Sequence, residues 1–436
     1  MKDTQRSQLI STHLRQIAEQ AITHPDRVFT SLIHHIDVDF LREAYRRLRK
    51  DSAPGLSGKT AKDYAAELET NLNDLHQRLK EGKYVAPLIK RVWIEKDGGK
   101  KRPIGLSEFE DKIVQKAVSM LMGAVYEQDF YPFSRGFREG HNAHQALGEI
   151  REQCTKHGIT HIYDADITGF FDNIDRSWLR KFIQQRINDG GVLKLIGKWL
   201  NAGVMEGDQI SYSDKGTPQG GTISPLLANI FLHHVLDEWF EQEVRPRMRG
   251  HCFIVRFADD FVIGFQREDD AQRVVEILPK RFAKFGLEVH PEKSRLIDFS
   301  RPAVKQPSGK GVNTFDFLGF THYWAKSRRG DWVIKRKTAR KKVTKTIQSI
   351  WDWCRKNRHM ELEKQHRILN SKLRGHFQYF GVRCNIRSMN TVRYQALRGW
   401  RYWLNRRSSK KALSWERFDK LLEKMPLLQP KIVHGI

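Results

Sequence analysis

Asp259 and Asp260 stand side by side in RFADDFVIGF (256–265), between the apolar runs FIVRF (253–257) and FVIGF (261–265). Adjacent carboxylates repel each other, which raises a pKa unless a cation compensates. A third acid, Asp166, ends the apolar run of THIYDADITGFFDNID (160–175). Carboxylates from separate strands suit a pair of divalent cations about 3.5–4 Å apart, the arrangement that drives phosphoryl transfer. Hard oxygen ligands favour Mg²⁺, and the same oxygens accept Mn²⁺. An Asp-Asp pair alone is weak evidence, because Asp occupies turns simply to hydrogen-bond the backbone. Three further features agree with it. Phe170 and Phe171 set a bulky wall close after Asp166. TPQGG (217–221) offers small residues for close backbone approach to a nucleotide. Lys96, Lys101 and Arg102 flank a turn, where they could grip a triphosphate. HNAH (141–144) reads as a polar turn before a helix and not as a metal site.

These residues need particular elements to hold them. The two runs around Asp259 and Asp260 are β-branched and aromatic, which predicts a hairpin with the acids at its turn. A strand ends near Asp166, and IKRVWIEKDGGKKRPIGL (89–106) reads as strand, Asp-Gly-Gly turn, strand. TPQGG leads into a helix, with Ser224 predicted as N-cap and Pro225 at the first helical position. Leu232, Val235, Leu236 and Trp239 repeat at helical spacing and should face the core. Residues 61–82 predict one helix closed by Gly82, 269–286 another, and QPSGKGVN (306–313) a loop before the extended FDFLGFTHYW. From Lys335 onward the pattern reads as helical and basic.

Charge is unevenly placed. The chain of 436 residues carries a net +26, and residues 326–436 hold 30 Lys and Arg against 7 Asp and Glu. Single-sign charge on that scale points to a polyanion, so nucleic acid is the leading partner. The same segment holds Trp351, Trp353, Trp400, Tyr402, Trp403 and Trp415, which predicts a folded basic region and not a solvated tail. No run approaches the roughly 18 apolar residues of a membrane span. The N-terminus lacks a secretory apolar stretch, so the expected location is cytoplasmic. Cys154, Cys252, Cys354 and Cys384 form no CxxC pair, and four free thiols are expected.

Taken in order, these motifs resemble a group II intron-encoded reverse transcriptase, or maturase, over nearly the whole chain. DADITGFFDNID is similar to that family's first carboxylate motif, GTPQGGTISPLLANIFL to its central motif, and RFADD to its second carboxylate motif. GLEVHPEKSRLIDF and FDFLGF fill the two motifs that follow. LNSKLRGHFQYFGV and LRGWRYWLNRRSSKKALSWERFDKLL resemble the thumb and maturase region. Phe257 stands where the family usually has Tyr, and Arg135 where an aromatic is usual.

The resemblance implies an α+β right-hand polymerase: an N-terminal helical extension of the fingers (1–58), fingers and palm (59–325), thumb/maturase (326–383) and a basic C-terminal maturase/DNA-binding region (384–436). It implies that Asp166, Asp259, Asp260 and the backbone carbonyl of Ile167 hold two Mg²⁺ ions. It places Lys90, Lys96 and Arg102 on the incoming triphosphate, Phe171 as the gate against a ribose 2′-hydroxyl, Gln219 by the template or nascent pair, and Lys293 as proton donor to the leaving pyrophosphate. The implied partners are intron RNA as template, a DNA or RNA primer, dNTPs and target DNA, with no membrane and with room for a homodimer. The chain stops at QPKIVHGI, and the expectation is a relative that lacks the zinc-supported endonuclease. Two rival readings are a splicing-only RNA-binding maturase and an enzyme domesticated for phage defence or DNA repair.

Overall fold

The computed structural model describes residues 2–95, 101–217, 220–302, 313–407 and 413–436. Lys96 and Gln219, the Asp97–Gly99 turn and most of the 306–313 loop lie outside those residues. Among these residues eleven strands form three sheets among helices. They are β1 (Ile89–Glu95), β2 (Lys101–Leu106), β3 (His161–Ala165), β4 (Val204–Glu206), β5 (Gln209–Ser211), β6 (Cys252–Phe257), β7 (Asp260–Phe265), β8 (Arg295–Asp298), β9 (Phe315–Phe317), β10 (Phe320–Lys326) and β11 (Trp332–Thr338). The sheet orders are β2-β1-β4-β5, β11-β10-β9 and β6-β7-β3-β8. All pairings are antiparallel except β1 with β4.

The sheet β6-β7-β3-β8 separates two hydrophobic cores. Ile254, Phe261, Ile263 and Tyr163 point into one, and Phe253, Val255, Val262 and Ile162 into the other. Burial on both faces explains why β6 and β7 read as nearly continuous apolar runs and not as alternating ones. Gly264 permits the tight packing, since a Cβ there would come within 2.0 Å of the Phe253 ring.

The long helix before the second acid motif, Ser224–Leu232, runs on through wide π-type turns at His233–Asp237, and Leu232, Val235, Leu236 and Trp239 are buried as their spacing predicts. Its start differs by one residue. Ser224 is already helical with Pro225 after it, and Ile223 occupies the cap without a side-chain hydrogen bond. The helix predicted over 61–82 breaks into Ala61–Ala65 and Leu68–Lys80. Asn71 satisfies the break by donating its amide to the Tyr64 carbonyl at 3.0 Å, while Tyr64 packs on Phe109. Gly82 follows the second piece at φ +71, where a residue with a side chain would be strained.

The expectation of helix from Lys335 is also corrected. Trp332, Ile334, Arg336 and Thr338 alternate inward along β11, and this period of two pairs the segment with β10. Helices begin at Arg340 and continue as Arg340–Lys356, Leu362–Phe380, Ile386–Leu404 and Trp415–Lys424. They are folded around Trp400, which is fully buried, donates its indole N–H to Gln365 Oε1 at 2.8 Å and meets Phe418 edge-on. The four cysteines are free thiols. Among the described residues no helix is long and apolar enough to cross a membrane.

Candidate active site

The register of β3 against β7 decides where the acids meet. Asp164 faces Val262 and Ala165 faces Phe261, so one further step sets Asp166 opposite Asp260 at the end of the sheet. Side chains alternate along a strand, so Asp164, Asp166 and Asp260 share one face. β6 and β7 are joined through a two-residue turn, Ala258–Asp259, with Phe257 paired to Asp260. Asp259 therefore projects from the turn itself, beside Asp260.

The electrostatics record this convergence. The Asp260 carboxyl is pushed up to about 6, first by desolvation and then by Asp259, Asp166 and Asp164, with Lys342 opposing. Asp260 is the exposed first residue of β7, and every residue after it on that strand is buried. Asp164 is likewise raised to about 6, by burial first; Arg295 opposes the shift, and Asp316 and Asp166 add to it. Asp164, Asp166, Asp259 and Asp260 gathered at one sheet end, with the charged forms of Asp260 and Asp164 disfavoured, offer the donor set that a hard divalent cation takes.

Asp166 is fixed by a turn that sequence reasoning had not connected to it. Its N–H donates to Ser294 Oγ at 3.1 Å, and its carbonyl accepts from His290 N–H at 2.8 Å. The next residue, Ile167, is buried and bridges to Val289. The ammonium of Lys293, on that same turn, contacts the Asp166 carboxylate. Only the fold shows that the turn HPEKS (290–294) closes on Asp166.

Phe171 lies buried in the short helix Phe170–Asn173, its ring edge-on to Phe170. Thr217 docks on its backbone, its N–H donating to the Phe171 carbonyl at 2.8 Å. Gly216, at φ +81, comes so close that a Cβ would sit 2.7 Å from that carbonyl. On the loop's other side, a Cβ on Gly220 would sit 2.5 Å from the Gly105 carbonyl in β2. Gly216 thus packs against the Phe170–Asn173 helix and Gly220 against β2. Lys90 lies in β1 opposite Leu106, and Arg102 in β2 opposite Ile94. HNAH forms a capped helix start, with Asn142 and Gln145 bonding reciprocally and His144 engaged with the Tyr379 carbonyl.

Comparisons with known proteins bear on this arrangement. Residues 94–322 match the family model described as "Reverse transcriptase (RNA-dependent DNA polymerase)". The chain is 29% identical to the "Group II intron-encoded protein LtrA" of Lactococcus lactis subsp. cremoris, covering 87% of this chain and 75% of that protein. It is 34% identical to "Protein YkfC" of Escherichia coli over 58% of this chain and 75% of that one. It is also 24% identical to the "Putative COX1/OXI3 intron 1 protein" of Saccharomyces cerevisiae, over 72% and 43% respectively.

Proposed function

Because this chain belongs to the reverse transcriptase (RNA-dependent DNA polymerase) family, we propose that Asp166, Asp259 and Asp260 form its polymerising centre. The chain is an RNA-directed DNA polymerase and maturase of the group II intron type. On this reading its sheet β6-β7-β3-β8 belongs to the palm within 59–325, residues 1–58 extend the fingers, 326–383 form the thumb and 384–436 the basic maturase/DNA-binding end. The observation that carries the site assignment is the convergence of Asp166, past the end of β3, and Asp259, in the β6–β7 turn, on Asp260, whose carboxyl both push up.

Bound Mg²⁺ ions would supply the charge that lets a primer 3′-hydroxyl ionise and a pyrophosphate leave. Asp166, Asp259, Asp260 and the Ile167 carbonyl would hold them. The chain's own groups supply position and proton. Lys90, Lys96 and Arg102 would grip the triphosphate with charge-assisted hydrogen bonds. Gln219 would lie by the template or nascent pair. Lys293, beside Asp166, would give its proton to the departing pyrophosphate. RNA is the template, a DNA or RNA primer is extended, and dNTPs are consumed. Intron RNA is the template we assign, with target DNA and a second copy of the chain as further partners.

Phe171 would act as a wall against the ribose 2′-hydroxyl. Phe171→Ala is expected to narrow the preference for dNTP over NTP by about 10²-fold in kcat/KM, since a steric gate works by exclusion alone. Single-nucleotide insertion kinetics with a matched dNTP and NTP measure it; an unchanged ratio contradicts the role.

Metal binding can be followed apart from catalysis. The Asp260 carboxyl titrates near 6, above its ordinary value, so the folded chain binds that proton more tightly than the unfolded chain. Without a divalent ion, this group's ionisation takes stability away as pH rises through 6. A cation bound to the ionised cluster reverses that loss. Mg²⁺ is therefore expected to raise the melting temperature by a few degrees at about pH 7.5 and hardly at all at about pH 5. An equal rise at both pH values contradicts the assignment.

A further inference from the structure

The turn that carries Asp259 is held from below by a buried ionic network that the polymerisation chemistry does not itself require. Arg256 and Asp237 are both wholly inaccessible to solvent. Arg256 Nε donates to Asp237 Oδ1 at 2.8 Å and Nη2 to Oδ2 at 2.5 Å, a bidentate pair. Nη1 donates to Asn229 Oδ1 and to the carbonyl of Ala258, each at 3.0 Å. Asn229 passes the restraint on, donating its amide to the Gly136 carbonyl at 2.8 Å. Gly136 presses on the turn so closely that a Cβ there would lie 2.1 Å from Ala258 N. The Arg256 backbone is clamped as well, its N–H donating to Phe133 and its carbonyl accepting from Arg135. Within this cage Ala258 sits at φ +59, a backbone conformation that residues with side chains rarely adopt.

Burying an ion pair does little for stability, because well-packed apolar residues of similar volume commonly serve as well or better. An apolar side chain cannot supply a rigid donor aimed at the Ala258 carbonyl. We propose that Arg256 is a positioning residue: clamped by Asp237 and Asn229, its guanidinium holds the Ala258–Asp259 turn in the conformation that directs the Asp259 carboxylate into the acidic cluster. This rests on the reading of Asp259 as a metal ligand. Lysine would keep the charge next to Asp237 but lacks the planar fork that reaches three acceptors at once.

The test uses the full chain in RNA-templated primer extension, with Arg256→Lys, the double variant Arg256→Met/Asp237→Leu, and Asp259→Ala as reference. Melting is followed by circular dichroism. Arg256→Lys is expected to lower kcat by about 10- to 100-fold, because a small misplacement of a reacting group is costly in rate. The KM for dNTP should stay near the wild-type value, and the Mg²⁺ concentration giving half-maximal rate should rise several-fold. The double variant removes the buried charges without leaving either unpaired, so it should fold and show the same kinetic defect. A purely structural role would lower the melting temperature while kcat and Mg²⁺ dependence stay at wild-type values in either folded variant. That result overturns the proposal, as does a double variant that recovers full kcat. Wild-type extension by Asp259→Ala would instead remove the metal-ligand premise, a failure distinguishable from the first.

Discussion

Asp259→Ala is expected to end RNA-templated primer extension, with a fall in rate of about 10³-fold or more, the scale of losing the main electrostatic support of a transition state. The carboxylate projects from a two-residue turn and is not a core side chain, so its removal should leave the hydrophobic cores and the folded fraction intact. Binding to an RNA–DNA hybrid should persist, because we assign that grip mainly to the basic C-terminal helices. Extension within about tenfold of wild type would contradict the site, since no single preorganised group at a reacting centre is lost so lightly. Asp166→Ala should be equally severe, as Asp166 stands opposite Asp260 across the end of the sheet. The same variants separate the rival readings. Splicing assistance that survives Asp259→Ala while extension disappears would show two separable functions on one chain.

The second large effect concerns salt. Exposed Arg340, Lys341 and Arg398 lie on helices of the basic C-terminal quarter, and exposed Arg406 lies in the turn after Ile386–Leu404. Arg406 lies over the Tyr402 ring at 3.6 Å, and Arg401 over Trp415 at 4.2 Å, so charge and stacking faces occur together. A protein that neutralises six to ten phosphates loses about 10³- to 10⁵-fold in affinity between 50 and 200 mM salt. Hybrid binding is expected to fall on that scale. Lys341→Ala and Arg398→Gln should each reduce the slope of log affinity against log salt by about one. Fluorescence anisotropy across a salt series reads both. A slope shallower than about −2 would mean that few phosphates are held, and would contradict the assignment of the basic helices to the backbone.

The acid-bearing hairpin was legible in the sequence because its two strands are short, apolar and separated by a compact polar break. The buried face of the helix through Leu232, Val235, Leu236 and Trp239 was legible because a period near 3.6 survives its π-type turns. The helix break after Ala65 was not legible. Good helix formers surround it, and the contacts at the break, Tyr64 on Phe109 and the Asn71 amide on the Tyr64 carbonyl, join residues that local sequence does not link. The second half of β11, from Lys335, reads as helix because its charges dominate the composition, although alternate residues of WVIKRKT are buried. Within the site, Asp166, Asp259 and Asp260 were visible as residue types at strand ends. Their register was not, because strand pairing between residues about a hundred positions apart leaves no local mark. The supports of the site were the least legible part. Arg256 reads as one more basic residue in a basic protein until Asp237, Asn229 and the Ala258 carbonyl are seen around it. Ser294 likewise gives no sign in the sequence that it caps the Asp166 N–H.

The most direct test is the position of Mn²⁺ by anomalous scattering in crystals of the full chain with an RNA–DNA hybrid and a non-hydrolysable dNTP. The account predicts anomalous peaks coordinated jointly by carboxylates of Asp166 and Asp259, with the nucleotide phosphates completing the shell. Peaks ligated by only one of these residues, or found away from the end of β3 and the β6–β7 turn, would contradict it.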